Sequence, residues 1–200
     1  MHSTKGVLLL IILSVVVISG QKQKRPPNVP SPIDSIKPQE NFDPKRFSGK
    51  WYLIGVASEC NYLREYNHQT EATAMVVSQM PVENNHAVST FRKLDGLCWE
   101  IKQEYEITKV KGKFSQKANG IKIDIVVGKT DYSNYAIIYY QKLKKITLKL
   151  YGRNPSVAPD IVQQFEQNAM NQKINEDFIY YFPKYGFCDS ADEFHILTVK

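Results

Sequence analysis

Three cysteines, Cys60, Cys98 and Cys188, are the residues of this chain best equipped for chemistry. In an oxidising compartment three thiols close one internal bridge and leave one sulfur to react outside the fold. Spacing alone leaves all three pairings open. His2, His68, His86 and His195 stand singly, none at ligand spacing from another or from a cysteine, so no metal site is implied. His86 reads as a turn residue and His195 as a surface or C-terminal contact. Adjacent carboxylates such as Glu176 and Asp177 read as loop residues, no Gly-rich phosphate loop occurs, and no cofactor is implied.

Whether those thiols are oxidised depends on the compartment. Lys5 supplies a positive start, residues 7–18 are apolar except for Ser14, and Ser19-Gly20 are small residues suited to a signal peptidase. The apolar run is shorter than the ~20 residues that span a bilayer, so residues 1–20 are expected to be a cleaved signal peptide and the protein to be secreted. The mature chain would begin at Gln21, which can cyclise to pyroglutamate. The remaining length suits one domain with a sizeable core. The formal charge of +6 includes Lys5 and the rest is scattered, with no basic stripe interleaved with stacking aromatics, which excludes nucleic acid as a partner. Asn154-Pro155-Ser156 is disqualified as a glycosylation site by its proline.

The elements that position the cysteines follow from periodicity. Residues 21–40, with prolines at 26, 27, 30, 32 and 38, read as a Pro/Lys-rich extended arm, and residues 41–200 as the folded domain. Runs rich in apolar and β-branched residues predict strands at 51–58, 72–78, 86–92, 97–107, 111–116, 121–127, 135–141 and 146–151, with a hairpin loop at 81–85. Ile121, Ile123 and Ile125 alternate with Lys122 and Asp124, and Ile146, Leu148 and Leu150 with Lys145, Thr147 and Lys149, so each strand buries one face. Eight such strands with short connections predict an all-β, antiparallel up-and-down meander that hides its edges by closing into a barrel. After Arg153 the period changes. Pro159 at a first helical turn, then Ile161, Val162, Phe165 and Ala169, predict one C-terminal amphipathic helix capped by Ser156 or Ala158, followed by a short ninth strand at 178–182.

On these motifs the chain resembles a lipocalin: Gly49-Lys50-Trp51 opening the first strand, Thr130-Asp131-Tyr132 between the sixth and seventh, and Arg153 ending the eighth. The resemblance implies that Trp51 plugs the closed end under the Arg153 guanidinium, a cation–π contact of about 1–2 kcal/mol, and that Asp131 hydrogen-bonds nearby backbone. These are structural roles. The resemblance also implies the pairing Cys98–Cys188, which leaves Cys60 over. The strings around Cys98 (89–99) and Cys188 (181–188), with the arm after Gln21, resemble the branch of the family that serves terminal complement, while Gln39-Glu-Asn-Phe42 and Cys60 also resemble the microglobulin-like carriers.

The complement branch implies a non-catalytic accessory subunit of the membrane attack complex. Cys60 would be disulfide-linked to the alpha subunit of the eighth component, and through it to the beta subunit and the terminal complement assembly. Tyr62, Leu63, Arg64, Tyr66 and His68 follow Cys60 and include residue types that anchor protein interfaces, so this loop is the expected partner-binding element. One lipocalin enzyme, a prostaglandin synthase, uses a cysteine deeper in its barrel; here only His68 is near Cys60 in sequence, which disfavours catalysis. The competing expectation is a plasma carrier of a small apolar, retinoid-like ligand, with Tyr105, Phe114, Ile123, Tyr135, Ile137 and Tyr139 either lining the cavity or facing the helix. Lys, Asp and Gln at many outward positions exclude direct membrane insertion of the barrel.

Overall fold

The computed structural model describes residues 30–79 and 84–199. The expected signal peptide, Gln21 and the first part of the arm lie outside the described residues, as does most of the 81–85 hairpin loop. Eight antiparallel strands follow one another: β1 (Gly49–Ala57), β2 (Thr73–Val77), β3 (Asn85–Leu94), β4 (Leu97–Ile107), β5 (Lys113–Ala118), β6 (Ile121–Thr130), β7 (Tyr135–Lys142) and β8 (Lys145–Gly152). Sequential neighbours pair, β8 returns to β1, and the barrel is thereby closed, which leaves no long unpaired edge.

Two packed layers account for the apolar residues. Inside the barrel lie Trp51, Leu53, Met75, Val88, Tyr105, Phe114, Ile125, Ile138 and Tyr140, among others. Two short helices, α1 (Pro44–Phe47) and α2 (Asn61–Tyr66), flank β1, and outside the barrel helix α3 (Pro159–Asn171) sets Phe165 and Ala169, both fully buried, against Ile54, Ala57, Ile137, Leu148 and Leu150. A register shift between Leu53 and Gly55 lets β1 serve both layers, because the extra residue sends Ile54 outward and returns Val56 inward. Of the expected cavity residues, Tyr105, Phe114 and Ile123 therefore belong to the interior, whereas Tyr135, Ile137 and Tyr139 pack in the outer layer.

The helix begins at Pro159, with Ala158 as its cap residue. Strand β9 (Ile179–Tyr181) pairs with the second half of β1, on the edge that β2 covers in the first half. A tenth strand, β10 (Ile196–Thr198), had no signal in the sequence. It pairs in parallel with Glu100–Lys102 of β4, a stretch that β5, in register only with Glu106 and Ile107, leaves open, so the C-terminus completes the wall. The described part of the arm is packed: residues 32–35 form a short 3-10 turn, and Ile33 and Ile36 are buried in the helix layer.

Candidate functional site

Trp51 is fully buried, donates its indole N–H to the Phe47 carbonyl at 2.8 Å, and carries the Arg153 guanidinium 3.6 Å above its ring. Arg153 also donates to the carbonyls of Lys50 (2.9 Å), Arg46 (2.9 Å), Ser48 (2.8 Å) and Tyr132 (3.0 Å). Gly49, at φ +94°, brings the chain past that guanidinium: a Cβ there would stand 3.3 Å from Nη1. Asp131 Oδ1 accepts from the backbone of Ser133, Asn134 and Tyr135, and those hydrogen bonds, with the Asn134 side chain, hold its carboxyl below the usual range despite opposing desolvation. The Thr130 hydroxyl donates to the Tyr135 carbonyl and the Tyr132 hydroxyl accepts from the Asp43 amide. This set ties the loops of the closed end together.

Cys98 and Cys188 are bonded to each other, with Cα atoms 5.7 Å apart and 90 residues between them in sequence. The bridge fastens the segment after β9 to β4, two residues from where β10 joins the same strand. Cys60 is the free cysteine, and it is exposed.

The loop after Cys60 is not irregular. It forms helix α2 (Asn61–Tyr66) and a 3-10 turn, with Cys60 as the cap residue whose carbonyl accepts from the Arg64 amide at 3.1 Å. Helical spacing stacks Tyr62 on Tyr66, ring centroids 5.1 Å apart, and both rings are about half exposed. Arg64 and His68 are exposed too, whereas Leu63 turns inward and packs against the barrel interior. Four of the five expected partner-loop residues therefore present themselves to solvent, and Leu63 instead roofs the open end.

Beside Cys60 runs a groove of about 1270 Å³ that sequence reasoning missed. Its walls come from the 32–35 turn, the end of β1, the tip of the β7–β8 hairpin and the C-terminal end of α3, which no sequence spacing relates. Lys142, Lys144, Lys145 and Lys173 line it, and Glu59 is its one carboxylate. None of these lysines takes part in an ion pair among the described residues. Tyr180 is directly opposite Val56 and so faces the barrel interior; its buried hydroxyl has no hydrogen-bond partner among the described residues, and desolvation raises its pKa.

The barrel interior is nearly full at its floor. Phe42, Phe47, His86, Tyr105, Phe114 and Ile138 are among the residues around a residual cavity of about 10 Å³, roughly the space of one water. His86 is thus an interior residue of β3, not a turn residue; its ring meets Phe114 edge-on and burial lowers its pKa. His195 lies against Trp99 and the Asp192 carboxylate, as a C-terminal contact should. Above the floor, Tyr105 and Tyr140 share a hydrogen bond at 3.3 Å, and burial raises the Tyr105 phenol to about 12. Lys149 is directly opposite Ile138 and so faces inward, with its ammonium 4.5 Å from the Tyr140 ring. Burial, aided by the like charge of Arg92, depresses it to about 8. Among the described residues no group of three potential metal ligands gathers, and no helix is long and apolar enough to cross a membrane.

Comparison with known proteins agrees with this architecture. The family model of the lipocalin / cytosolic fatty-acid binding proteins matches residues 48–186. The complement component C8 gamma chain of Oryctolagus cuniculus is 40% identical over 195 residues, covering 96% of this chain and 95% of the relative. Protein AMBP of Bos taurus is 33% identical over 200 residues, 96% of this chain but 55% of the relative. Among solved structures, the siderocalin Ex-FABP superposes with a TM-score of 0.62 at 20% identity, covering 70% of this chain and 96% of the other, a likeness of fold.

Proposed function

As the chain belongs to the lipocalin / cytosolic fatty-acid binding protein family, we propose that it is a secreted, non-enzymatic accessory subunit of the terminal complement complex, disulfide-linked through Cys60 to the alpha subunit of the eighth component. The observation that carries the reading is Cys60 itself: an exposed, unpaired thiol in a chain whose other two cysteines are bonded together, and which aligns with a complement gamma chain over almost its whole length. A thiol left over in an oxidising fluid finds a partner. The bond forms when Cys60 and a partner thiol give two protons and two electrons to a disulfide oxidant, such as glutathione disulfide or a protein disulfide, which leaves as two thiols.

Non-covalent contacts hold the partner in place and the disulfide then makes the association permanent, since a tethered pair meets at high effective concentration. Tyr62, Arg64 and Tyr66 are the exposed side chains best suited to such contacts. The family also supports carriage of a small apolar ligand. With the floor filled, such a ligand would have to sit high in the barrel, close to Lys149 and the tyrosines, and the complement reading is the better supported of the two.

Electrophoresis of the secreted protein from plasma tests the proposal. Without reductant it should run well above the 23.0 kDa chain and fall to its own mass when reduced. Cys60→Ser should leave an assembly that survives native separation and falls apart in denaturant. A band at monomer mass without reductant would refute the covalent partner, and loss of all native association in Cys60→Ser would refute the positioning contacts.

A further inference from the structure

The groove beside Cys60 has a chemistry of its own. Pro32, Leu143, Ile146 and Ile174 supply an apolar strip, and the lysines at 142, 144, 145 and 173 edge it. All four lysines are exposed and free of carboxylate partners among the described residues, so the groove carries an uncompensated positive field against the single charge of Glu59. The Cys60 thiol opens onto the same space. The groove lies over the outer face of β8 and the end of α3, on the flank of the open rim and outside the barrel.

We propose that this groove seats an extended, acidic, cysteine-bearing segment of the partner chain, which is held against the outer flank of the barrel and bonded there to Cys60. The proposal rests on the covalent reading of Cys60 given above and names the partner surface that reading leaves open. Two observations select this occupant. The lysines call for carboxylates, because charges of one sign lining a cleft attract and orient the opposite sign. An open groove of about 1270 Å³ with an apolar strip suits a stretch of polypeptide better than a compact small molecule.

Two cysteine peptides of equal length test this, one flanking its cysteine with Asp and Glu, the other with Lys. Each is presented as its mixed disulfide with 2-thiopyridine. The Cys60 thiolate attacks the peptide sulfur, the new disulfide forms as the old one breaks, and thiopyridone leaves, so no further oxidant is needed and its absorbance reports the rate. At low ionic strength the acidic peptide should react with the full chain at least about tenfold faster than the basic one, and the two rates should converge near 0.5 M salt. The triple charge reversal Lys142→Glu/Lys144→Glu/Lys145→Glu, at exposed hairpin positions, should invert the preference, and Cys60→Ser should abolish the reaction.

Equal rates for the two peptides would overturn the proposal, as would an acidic preference that survives the charge reversal. An anionic small disulfide reacting as fast as the acidic peptide would also overturn it, by showing that the groove reads charge and not an extended segment. These measurements use no native partner. Failure of the plasma experiment with a clear acidic preference would remove the complement reading and leave the groove; the converse would remove the groove and leave the covalent partner.

Discussion

Replacing Arg153 by Lys keeps the charge and most of the length but removes the planar fork, and the structure sets what that should cost. The guanidinium stands 3.6 Å above Trp51 and donates to four carbonyls at 2.8–3.0 Å, those of Arg46, Ser48, Lys50 and Tyr132, which belong to two chain segments far apart in sequence. An ammonium is a point donor and cannot span them. Losing about two of these charge-assisted bonds, each discounted to roughly 0.5–1 kcal/mol because water reaches the closed end, plus roughly 0.5–1 kcal/mol of ring contact, predicts a loss of about 1.5–3 kcal/mol. In a domain of this size that lowers Tm by roughly 3–12 °C. Urea unfolding followed by tryptophan fluorescence, with calorimetry alongside, measures it. A double-mutant cycle with Trp51→Phe should return a coupling of about 0.5–2 kcal/mol. A loss below about 1 kcal/mol, or a coupling near zero, would show that the barrel end is closed by packing of Phe47 and Trp51 alone and that the arginine is incidental.

Three further outcomes follow from the same structure. Removing the bridge with Cys98→Ala/Cys188→Ala opens a loop of 90 residues and should cost about 4–5 kcal/mol by chain entropy, with faster amide exchange at Ile196–Thr198; a loss under about 1.5 kcal/mol would mean that the C-terminal segment is held by its own contacts. Lys149, depressed to about 8 from an ordinary value near 10.5, binds a proton less tightly in the fold than in the unfolded chain. The unfolded state therefore holds more protons between those pH values, and the penalty of burying the ammonium is complete below about pH 8 and relieved as pH rises toward 10.5. Lys149→Met should accordingly be more stable than the parent at pH 7, by a margin that shrinks through pH 8–10; a constant margin in urea melts would rule out titration of Lys149 as its source. Cys60→Ser should leave Tm unchanged, because the thiol touches nothing that the fold needs, and a fall of more than about 2 °C would give it a structural role.

The barrel was legible because its signals are local. Alternation in 121–125 and 146–150, the change of period after Arg153, and Pro159 at the first helical turn each follow from the backbone geometry of a few consecutive residues. Two elements escaped for the complementary reason. Helix α2 is six residues with no buried side chain, too short for a period to show, and β10 is three residues whose pairing depends on where β4 and β5 diverge, 90 positions away in sequence. His86 reads as a turn residue because it follows the polar 81–85 stretch, whereas β3 begins at Asn85 and pairing opposite Tyr105 turns His86 into the barrel.

The sequence by itself determined the eight strands of the barrel and the fact that one of three thiols must be left over, since counting and short spacings are properties of the chain, whereas the plug of Trp51 and Arg153 was implied by family likeness. Its pairing of Cys98 with Cys188 came through family likeness, and the structure agrees. Only the tertiary structure decided which faces turn inward, putting Tyr105 inside and Tyr139 outside, because an interior and an outer apolar layer cover the two sides of β7 and its neighbours while β4 meets only the first. It alone brought Cys60 beside Lys142, Lys144, Lys145 and Lys173, four charges that look in sequence like ordinary solvated lysines. Proximity between residues separated by 80 to 110 positions is made by barrel closure and helix docking, and no period along a chain encodes it.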